Sequence, residues 1–228
     1  MDAIPEAAEP VVVERATGLG GELVLRRAGA DYEIISNGVF LMDTRNGESE
    51  RLLAAAALEA LDGPARLLIG GLGVGFSLAE ALRHPRVTAV TVVEREPAVI
   101  AWHATALRPW SRGALEDPRV TVARADLLDV LADPATGAFD VLCLDIDNGP
   151  GWTVTPGNAR LYGPAGLDLL TARLAPGGVL AVWSAAADPA FETRLRRRFS
   201  DVRAVAVPVP RGEPDMVYLA RRPLPRRG

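Results

Sequence analysis

Short apolar segments alternate with Ala- and Leu-rich segments of helical periodicity from residue 48 onward, and this order constrains the fold more than any other feature. Strands are predicted at 66–70, 89–93, 120–123, 139–145, 179–183, 202–207 and 216–220. Helices are predicted at 50–61, 75–83, 97–107, 158–174 and 189–199. Strands that alternate with helices form an α/β fold with a mostly parallel, doubly wound sheet, here of seven strands. The last two strands have no helix between them, so we predict that they pair antiparallel at one edge.

The first 47 residues have a different pattern. β-rich runs at 11–15, 22–27, 32–36 and 39–43 are separated by glycine-containing turns. Asn37-Gly38 between two apolar runs predicts a hairpin, because a type I′ turn needs positive φ at both central residues. We therefore predict a small N-terminal antiparallel β-domain at 1–47 and a Rossmann-like domain at 48–228. Two hairpins are marginally stable alone, so the small sheet must pack on something else.

Composition argues against several classes of protein. The chain of 228 residues is 49% hydrophobic with a net charge of −4, so it can bury a sizeable core and lacks the basic excess typical of nucleic-acid-binding proteins. No apolar run approaches the roughly 20 residues of a membrane span. The acidic start MDAIPEAAEP does not have the pattern of a signal peptide. With one cysteine and two histidines, the chain is not expected to form a zinc site. A single cysteine cannot form an internal disulfide, so we predict a cytoplasmic location.

The first candidate site is the glycine-rich loop that follows the first strand of the predicted parallel sheet. It reads Ile69-Gly70-Gly71-Leu72-Gly73-Val74-Gly75. Gly71, Gly73 and Gly75 would let the backbone turn tightly and let a ligand approach the helix N-terminus. The alternative is a tight turn that binds nothing.

Acidic residues follow the next two strands. Glu94 lies about 20 residues after the glycine loop, the spacing at which a carboxylate holds ribose hydroxyls. Asp126 can accept a hydrogen bond from an adenine amino group, or it can cap the helix that begins at Leu127. These residues are compatible with a nicotinamide dinucleotide and with an S-adenosyl sulfonium ligand.

An acidic loop follows the fourth strand. Asp145 ends a run that should be buried, and Asp147, Asn148 and Gly149-Pro150 come next. Ligands of open α/β sheets bind beyond the carboxyl ends of the strands, so Asp145 and Asp147 are predicted to be functional. A turn without function would also tolerate Asp147-Asn148-Gly149.

These features together resemble the spermidine synthase (polyamine aminopropyltransferase) family, which has the class I S-adenosylmethionine-dependent methyltransferase fold. The likeness extends from about residue 20 to residue 222. It is carried by the small N-terminal sheet, the glycine loop, Glu94, Asp126, the Asp145 loop, Leu174-Ala175-Pro176-Gly177-Gly178 and the closing segment Pro214-Asp215-Met216-Val217-Tyr218-Leu219-Ala220-Arg221.

The resemblance implies a reaction. In this family an amine attacks the aminopropyl carbon of decarboxylated S-adenosylmethionine, and methylthioadenosine leaves. Asp145 would then be the general base beside the reacting amine, with Asp147 as a further catalytic carboxylate. The implied partner is a small-molecule amine, and no metal is required.

The exposed edges of the N-terminal sheet predict a homodimer.

The resemblance also implies ligand contacts. Glu94 would hold the ribose, and Asp126, with Leu127, would hold the adenine. The glycine loop would border the nucleoside and the sulfonium, through the three residues Gly71, Gly73 and Gly75.

The chain departs from the family pattern at several places. Val74 stands where the family's glycine loop carries an Asp that pairs with the aminopropyl amine. Residues 145–150 read D-I-D-N-G-P where the family has D-x-x-D-P, so the second acid is either shifted to Asp147 or replaced by Asn148. A Gln of the family's N-terminal part is missing, and Glu48-Ser49-Glu50 replaces a Tyr-His pair.

These departures leave alternatives open. One is a methyltransferase that uses intact S-adenosylmethionine, which Val74 slightly favours. Another is a non-catalytic homologue that retains the adenosyl pocket. A nicotinamide dehydrogenase is less favoured, because Asp126 and Asp145 suit an adenosyl pocket better.

Overall fold

The computed structural model describes residues 9–155 and 157–225, so the predicted lack of a leader at residues 1–8 falls outside the described part. Four antiparallel strands form the N-terminal sheet in the order β1-β2-β3-β4. They are β1 (Val11–Gly18), β2 (Gly21–Ala28), β3 (Asp31–Ser36) and β4 (Val39–Asp43). Asn37 and Gly38 have φ values of 50° and 78°, as the predicted hairpin requires.

Seven strands form the second sheet, in the order β10-β11-β9-β8-β5-β6-β7. They are β5 (Ala65–Gly70), β6 (Val87–Val93), β7 (Val120–Ala123), β8 (Phe139–Leu144), β9 (Leu174–Ser184), β10 (Phe199–Val207) and β11 (Asp215–Pro223). β5 to β9 run parallel to one another, and β11 is antiparallel to both β9 and β10. The predicted fold class is therefore confirmed, including the antiparallel pair at one edge.

Eight α-helices connect these strands in the described part of the chain. They are α1 (Glu48–Glu59), α2 (Phe76–Arg83), α3 (Pro97–Trp102), α4 (Arg108–Ser111), α5 (Leu127–Ala132), α6 (Ala159–Tyr162), α7 (Pro164–Ala172) and α8 (Pro189–Arg196).

Three helices predicted from the sequence were wrong in extent. The predicted helix at 189–199 ends at Arg196, and Phe199 begins β10. The predicted helix at 97–107 ends at Trp102, and tight turns continue the chain to Leu107. The predicted helix at 158–174 is broken at Gly163, because a residue before proline is disfavoured in helical conformation and Pro164 begins a new helix.

Both faces of the large sheet are covered. Leu67 and Ile69 of β5 point into a core shared with α1 and the N-terminal sheet, and Leu68 points into a second core on the opposite face. Leu25 and Ile34 of the small sheet belong to the first core, so this sheet packs on the large domain as its marginal stability demands. The division into domains 1–47 and 48–228 stays a prediction.

Glu96, just before α3, ties the N-terminal sheet to the large one. Its Oε2 accepts a hydrogen bond from the Leu19 N–H at 2.8 Å, and its Oε1 accepts one from the Gly20 N–H at 3.2 Å. A Cβ atom at Gly18 would lie 2.3 Å from Glu96 Oε2, so a larger residue there would push this carboxylate away from the turn. The N-terminal sheet, which we call the roof (β1 to β4), is thereby fixed over the large sheet. No helix in the described ranges is long and apolar enough to span a membrane.

Candidate active site

A cavity of about 600 Å³ lies between the roof and the carboxyl ends of the parallel strands. This volume is typical of small-molecule sites. Val39, Phe40, Leu41 and Met42 of β4 line its roof side. The predicted site residues on its wall are Gly71, Gly73, Glu94, Asp126, Leu127, Asp145 and Asp147. Four segments distant in sequence thus meet at one edge of the sheet.

The glycine loop meets the Asp145 loop where the strand order reverses, between β5 and β8. The Asp145 N–H donates to the carbonyl oxygen of Gly70 at 2.9 Å. Gly71 has a φ of 89°, and a Cβ atom on it would lie 2.0 Å from the Asp145 carbonyl oxygen. Only glycine allows this approach, which brings the carboxyl group of Asp145 beside the loop.

The other two loop glycines differ in their surroundings. A Cβ atom on Gly73 would lie 2.5 Å from the Met42 sulfur, so this glycine lets the roof close on the loop. A Cβ atom on Gly75 would instead meet Ser111 and His103, and Gly75 is not part of the cavity wall. Its role in ligand binding stays a prediction. Val74 is fully buried in the core and presents no side chain to the cavity.

Glu94 lies at the end of β6 and is only 8% exposed. Its Oε2 accepts a hydrogen bond from the Leu72 N–H at 3.0 Å, and its Oε1 accepts one from the Glu96 N–H at 2.8 Å. Burial raises the pKa of this carboxyl group, and the backbone N–H groups act in the opposite direction. Each carboxylate oxygen retains acceptor capacity toward the cavity, which suits a ligand with vicinal hydroxyls.

Asp126 is both a helix cap and part of the cavity wall. Its Oδ1 accepts a hydrogen bond from the Leu128 N–H at 2.8 Å, which satisfies the N-terminus of α5. Its Oδ2 lies 3.8 Å from Nη1 of Arg95, another residue of the wall. Leu127 adds an apolar surface beside it. A planar heterocycle with an exocyclic amine could therefore contact both residues.

Asp145 is half-buried in the cavity wall. Burial raises the pKa of its carboxyl group to about 8, and the negative charges of Glu50 and Asp215 act in the same direction. Glu50 belongs to α1 and Asp215 begins β11, and both line the cavity. The sequence analysis named both residues only within segments compared with the family pattern and did not predict them as site residues.

Asp147 occupies the adjacent loop with a φ of 52°. Its Oδ2 accepts hydrogen bonds from the Asn158 side chain at 2.8 Å and from the Thr155 N–H at 3.3 Å. Asp147 therefore ties Thr155 and Asn158 to the start of the loop after β8 while also lining the cavity, and its catalytic role stays a prediction. In the described residues, no group of three or more His, Cys, Asp and Glu side chains is arranged to hold a metal ion.

We expect Asp145→Asn to stabilise the fold at alkaline pH. The raised pKa means that the folded state retains a proton that the unfolded state loses above about pH 4, so Asp145 reduces stability increasingly between about pH 4 and pH 8. The variant should gain about 1–3 kcal/mol in free energy of unfolding at pH 9. Urea unfolding at pH 5 and pH 9 measures this. A gain that does not increase with pH would contradict the raised pKa.

The strand order of the large sheet and the acid-lined cavity at its carboxyl edge define a protein of the class I methyltransferase-like fold. A sequence model of the spermine/spermidine synthase domain matches residues 48–205. The chain belongs to the spermine/spermidine synthase family.

A curated relative is similar over most of the chain. A polyamine aminopropyltransferase from Mycobacterium tuberculosis is 30% identical over 205 residues, which cover 89% of this chain and 38% of the relative. The chain thus spans about two fifths of the length of that protein.

Solved spermidine synthase structures share the fold. The Thermotoga maritima enzyme superposes with a TM-score of 0.75 at 19% identity, covering 92% of this chain and 72% of that one. A spermidine synthase in complex with the transition-state analogue AdoDATO gives a TM-score of 0.77 at 19% identity, covering 92% of this chain and 73% of that one.

Proposed function

We propose that the protein transfers an aminopropyl or related group from decarboxylated S-adenosylmethionine to a small-molecule amine and releases methylthioadenosine. Membership of the spermine/spermidine synthase family and the similarity to a named polyamine aminopropyltransferase support this reaction. The observation that carries the proposal is the position of Asp145, a carboxyl group with a raised pKa on the wall of a nucleoside-sized cavity.

The adenosyl half of the donor fits the side of the cavity that holds Glu94 and Asp126. The two free acceptor positions of Glu94 would bind the ribose hydroxyls, and Asp126 would accept a hydrogen bond from the adenine amino group. The glycine loop at Gly71 and Gly73 would border the nucleoside. This placement directs the sulfonium and its aminopropyl chain toward Asp145, which adjoins the loop.

The raised pKa of Asp145 suits proton removal from an ammonium group. Alkyl ammonium ions have pKa values near 10, so an ordinary aspartate with a pKa near 4 is a poor base toward them. A carboxylate with a pKa of about 8 makes the transfer far less unfavourable. The freed nitrogen lone pair then attacks the aminopropyl carbon, the carbon–sulfur bond breaks, and its electron pair neutralises the sulfonium. The cavity has to align the two reacting atoms.

An assay of methylthioadenosine release tests the proposal. With decarboxylated S-adenosylmethionine and a panel of mono-, di- and polyamines, we expect release with at least one amine, and a rate that rises with pH up to about 8 as Asp145 ionises. Intact S-adenosylmethionine serves as the control donor for methyl transfer. Absence of methylthioadenosine with every amine would refute aminopropyl transfer by this chain.

Several properties of the whole protein stay predictions. A homodimer through the edge strand β1 is supported by Val11, Val12 and Val13, which are 58%, 44% and 48% exposed. The acidic charge balance supports an absence of nucleic-acid partners. A cytoplasmic location and the absence of a membrane partner rest on the sequence alone.

A further inference from the structure

His103 is a buried polar residue that the proposed reaction does not use. It is 3% exposed and directly follows α3 as the C-terminal cap of that helix. Its Nε2 atom lies 2.9 Å from the carbonyl oxygen of Gly73 in the glycine loop. Its other ring nitrogen, Nδ1, has no hydrogen-bond partner among the described residues. Within that part of the chain, the contact with Gly73 is therefore the one hydrogen bond of this imidazole.

The contact determines where the imidazole proton lies. A carbonyl oxygen can only accept a hydrogen bond, so Nε2 must carry the proton and donate it. Burial lowers the pKa of the His103 imidazole, and the hydrogen bond to Gly73 acts in the opposite direction. At pH 7 the side chain is therefore a neutral ring with its proton on Nε2.

The carbonyl group of Gly73 depends on this donor. No backbone N–H group of the described residues donates to it, and the N–H of Gly75 instead turns back to the Leu72 carbonyl at 2.9 Å. Gly73 lines the cavity and His103 does not, so the hydrogen bond directs the carbonyl toward a residue outside the cavity wall. Glycine has a broad range of backbone conformations, so without the imidazole the Gly73–Val74 peptide could rotate.

Gly75 leaves the space through which the imidazole reaches the loop. A Cβ atom on Gly75 would lie 2.8 Å from Cε1 of His103, the ring carbon bonded to Nε2. A side chain at this position would push the ring away from Gly73. The third glycine of the loop therefore makes the hydrogen bond to the second one possible.

The glycine loop is held at two successive residues by one segment of the chain. Glu94, just after β6, accepts a hydrogen bond from the Leu72 N–H at 3.0 Å, and His103, at the end of α3, donates to Gly73. The Glu96 N–H donates to Glu94 at 2.8 Å immediately before α3 begins. Helix α3 thus connects the Glu94 carboxylate with the imidazole, and the two side chains together fix the loop.

We propose that His103 is a positioning residue that holds the Gly73–Val74 peptide in the orientation that binds the adenosyl group of the donor. It lies outside the cavity wall and acts through Gly73. A loop that is already ordered loses less conformational freedom when its ligand binds, so the hydrogen bond contributes to affinity. The identity of the ligand rests on the proposed aminopropyl transfer. Loss of the donor should weaken nucleoside binding and leave the rate of the bound complex nearly unchanged.

Calorimetric titration of methylthioadenosine into three variants tests this role. His103→Leu places an apolar side chain that cannot donate, and it should weaken binding about tenfold or more. His103→Gln retains an N–H donor at a reach similar to that of Nε2, and its affinity should stay within about threefold of the wild type. His84→Gln changes the other histidine, which caps the end of α2 remote from the glycine loop, and should bind as the wild type does.

Nuclear magnetic resonance of the wild type tests the hydrogen bond without a substitution at His103. The chain has two histidines, so comparison with His84→Gln assigns the imidazole nitrogen signals of His103. At pH 7 we expect a neutral ring with the proton on Nε2, both with and without methylthioadenosine. A proton on Nδ1 instead would leave two acceptor atoms facing each other at Nε2 and the Gly73 carbonyl, and it would overturn the proposal.

Kinetics separate positioning from a part in the chemical step. In single turnovers at saturating donor, His103→Leu should react within about threefold of the wild-type rate, while the donor concentration for half-maximal rate rises about tenfold. Thermal unfolding of His103→Leu and His103→Gln distinguishes weaker binding from a less stable fold. Wild-type affinity in His103→Leu, or equal losses in His103→Leu and His103→Gln, would overturn the positioning role even if the enzyme is active.

The affinities also distinguish this role from the proposed reaction. The expected order of affinities, without methylthioadenosine formation from any amine, would support the positioning role and refute aminopropyl transfer. A wild-type protein that does not bind methylthioadenosine would overturn both.

Discussion

Asp145→Asn is expected to lower the rate of methylthioadenosine formation by about 10²–10⁴-fold, the usual contribution of a general base. The amide is nearly isosteric with the carboxyl group but cannot accept the proton of the acceptor ammonium. Donor binding should change little, because Glu94 and Asp126, the residues proposed to hold the adenosyl half, are unchanged in this variant. Single-turnover measurements at pH 8, with donor affinity determined separately, would separate chemistry from binding.

Asp147→Asn provides the comparison within the same loop. The Asp147 carboxylate is already engaged by Asn158 and the Thr155 N–H, so its loss should disturb the loop more than the proton transfer. We therefore expect a smaller loss of rate than for Asp145→Asn. Equal losses in the two variants would contradict the assignment of Asp145 as the base.

Removal of the carboxylate of Glu94 should weaken adenosyl binding about 10- to 100-fold. In Glu94→Gln one acceptor oxygen becomes an NH₂ group, which opposes the N–H of either Leu72 or Glu96 and offers the ribose one acceptor fewer. Calorimetric titration of methylthioadenosine measures the change.

Glu59→Gln, which replaces an exposed acid at the end of α1, is the control and should bind methylthioadenosine normally. Full affinity in Glu94→Gln would show that the ribose is held elsewhere. Thermal unfolding of both variants distinguishes weaker binding from a less stable fold.

The sequence was most informative about acidic residues that closely follow a strand. Glu94, Asp126 and Asp145 each come just after a short apolar run, and parallel strands bring their carboxyl ends to one edge, so their convergence could be predicted. Leu127 followed from its position beside Asp126. The small sheet was predictable for a similar reason, since Asn37-Gly38 determines a hairpin locally.

Residues whose position depends on long-range packing were missed. Glu50 opens a helix, and Asp215 begins the last strand. The packing of α1 against β9 and β11, with the contacts of Ser49 to Asp215 and Trp183, brings the two carboxyl groups together. No local sequence pattern near Glu50 or Asp215 predicts that their carboxyl groups lie close together. Gly75 was predicted to border the ligand. In the structure it is not part of the cavity wall, and its lack of a side chain makes room for Ser111 and His103. Pro164 was a visible local signal for the helix break at Gly163, but the helical periodicity of the segment outweighed it in the prediction.

The attachment of the roof closes one side of the cavity and so limits where small molecules can enter it. The Glu96 carboxylate accepts hydrogen bonds from the N–H groups of the turn between β1 and β2, and Met42 packs on Gly73, so the cavity is closed on that side. The remaining boundary includes Trp152, which is 58% exposed, and the 208–214 segment. For the proposed reaction we therefore expect substrates and products to pass beside Trp152 and the 208–214 segment, without a hinge opening between the two sheets.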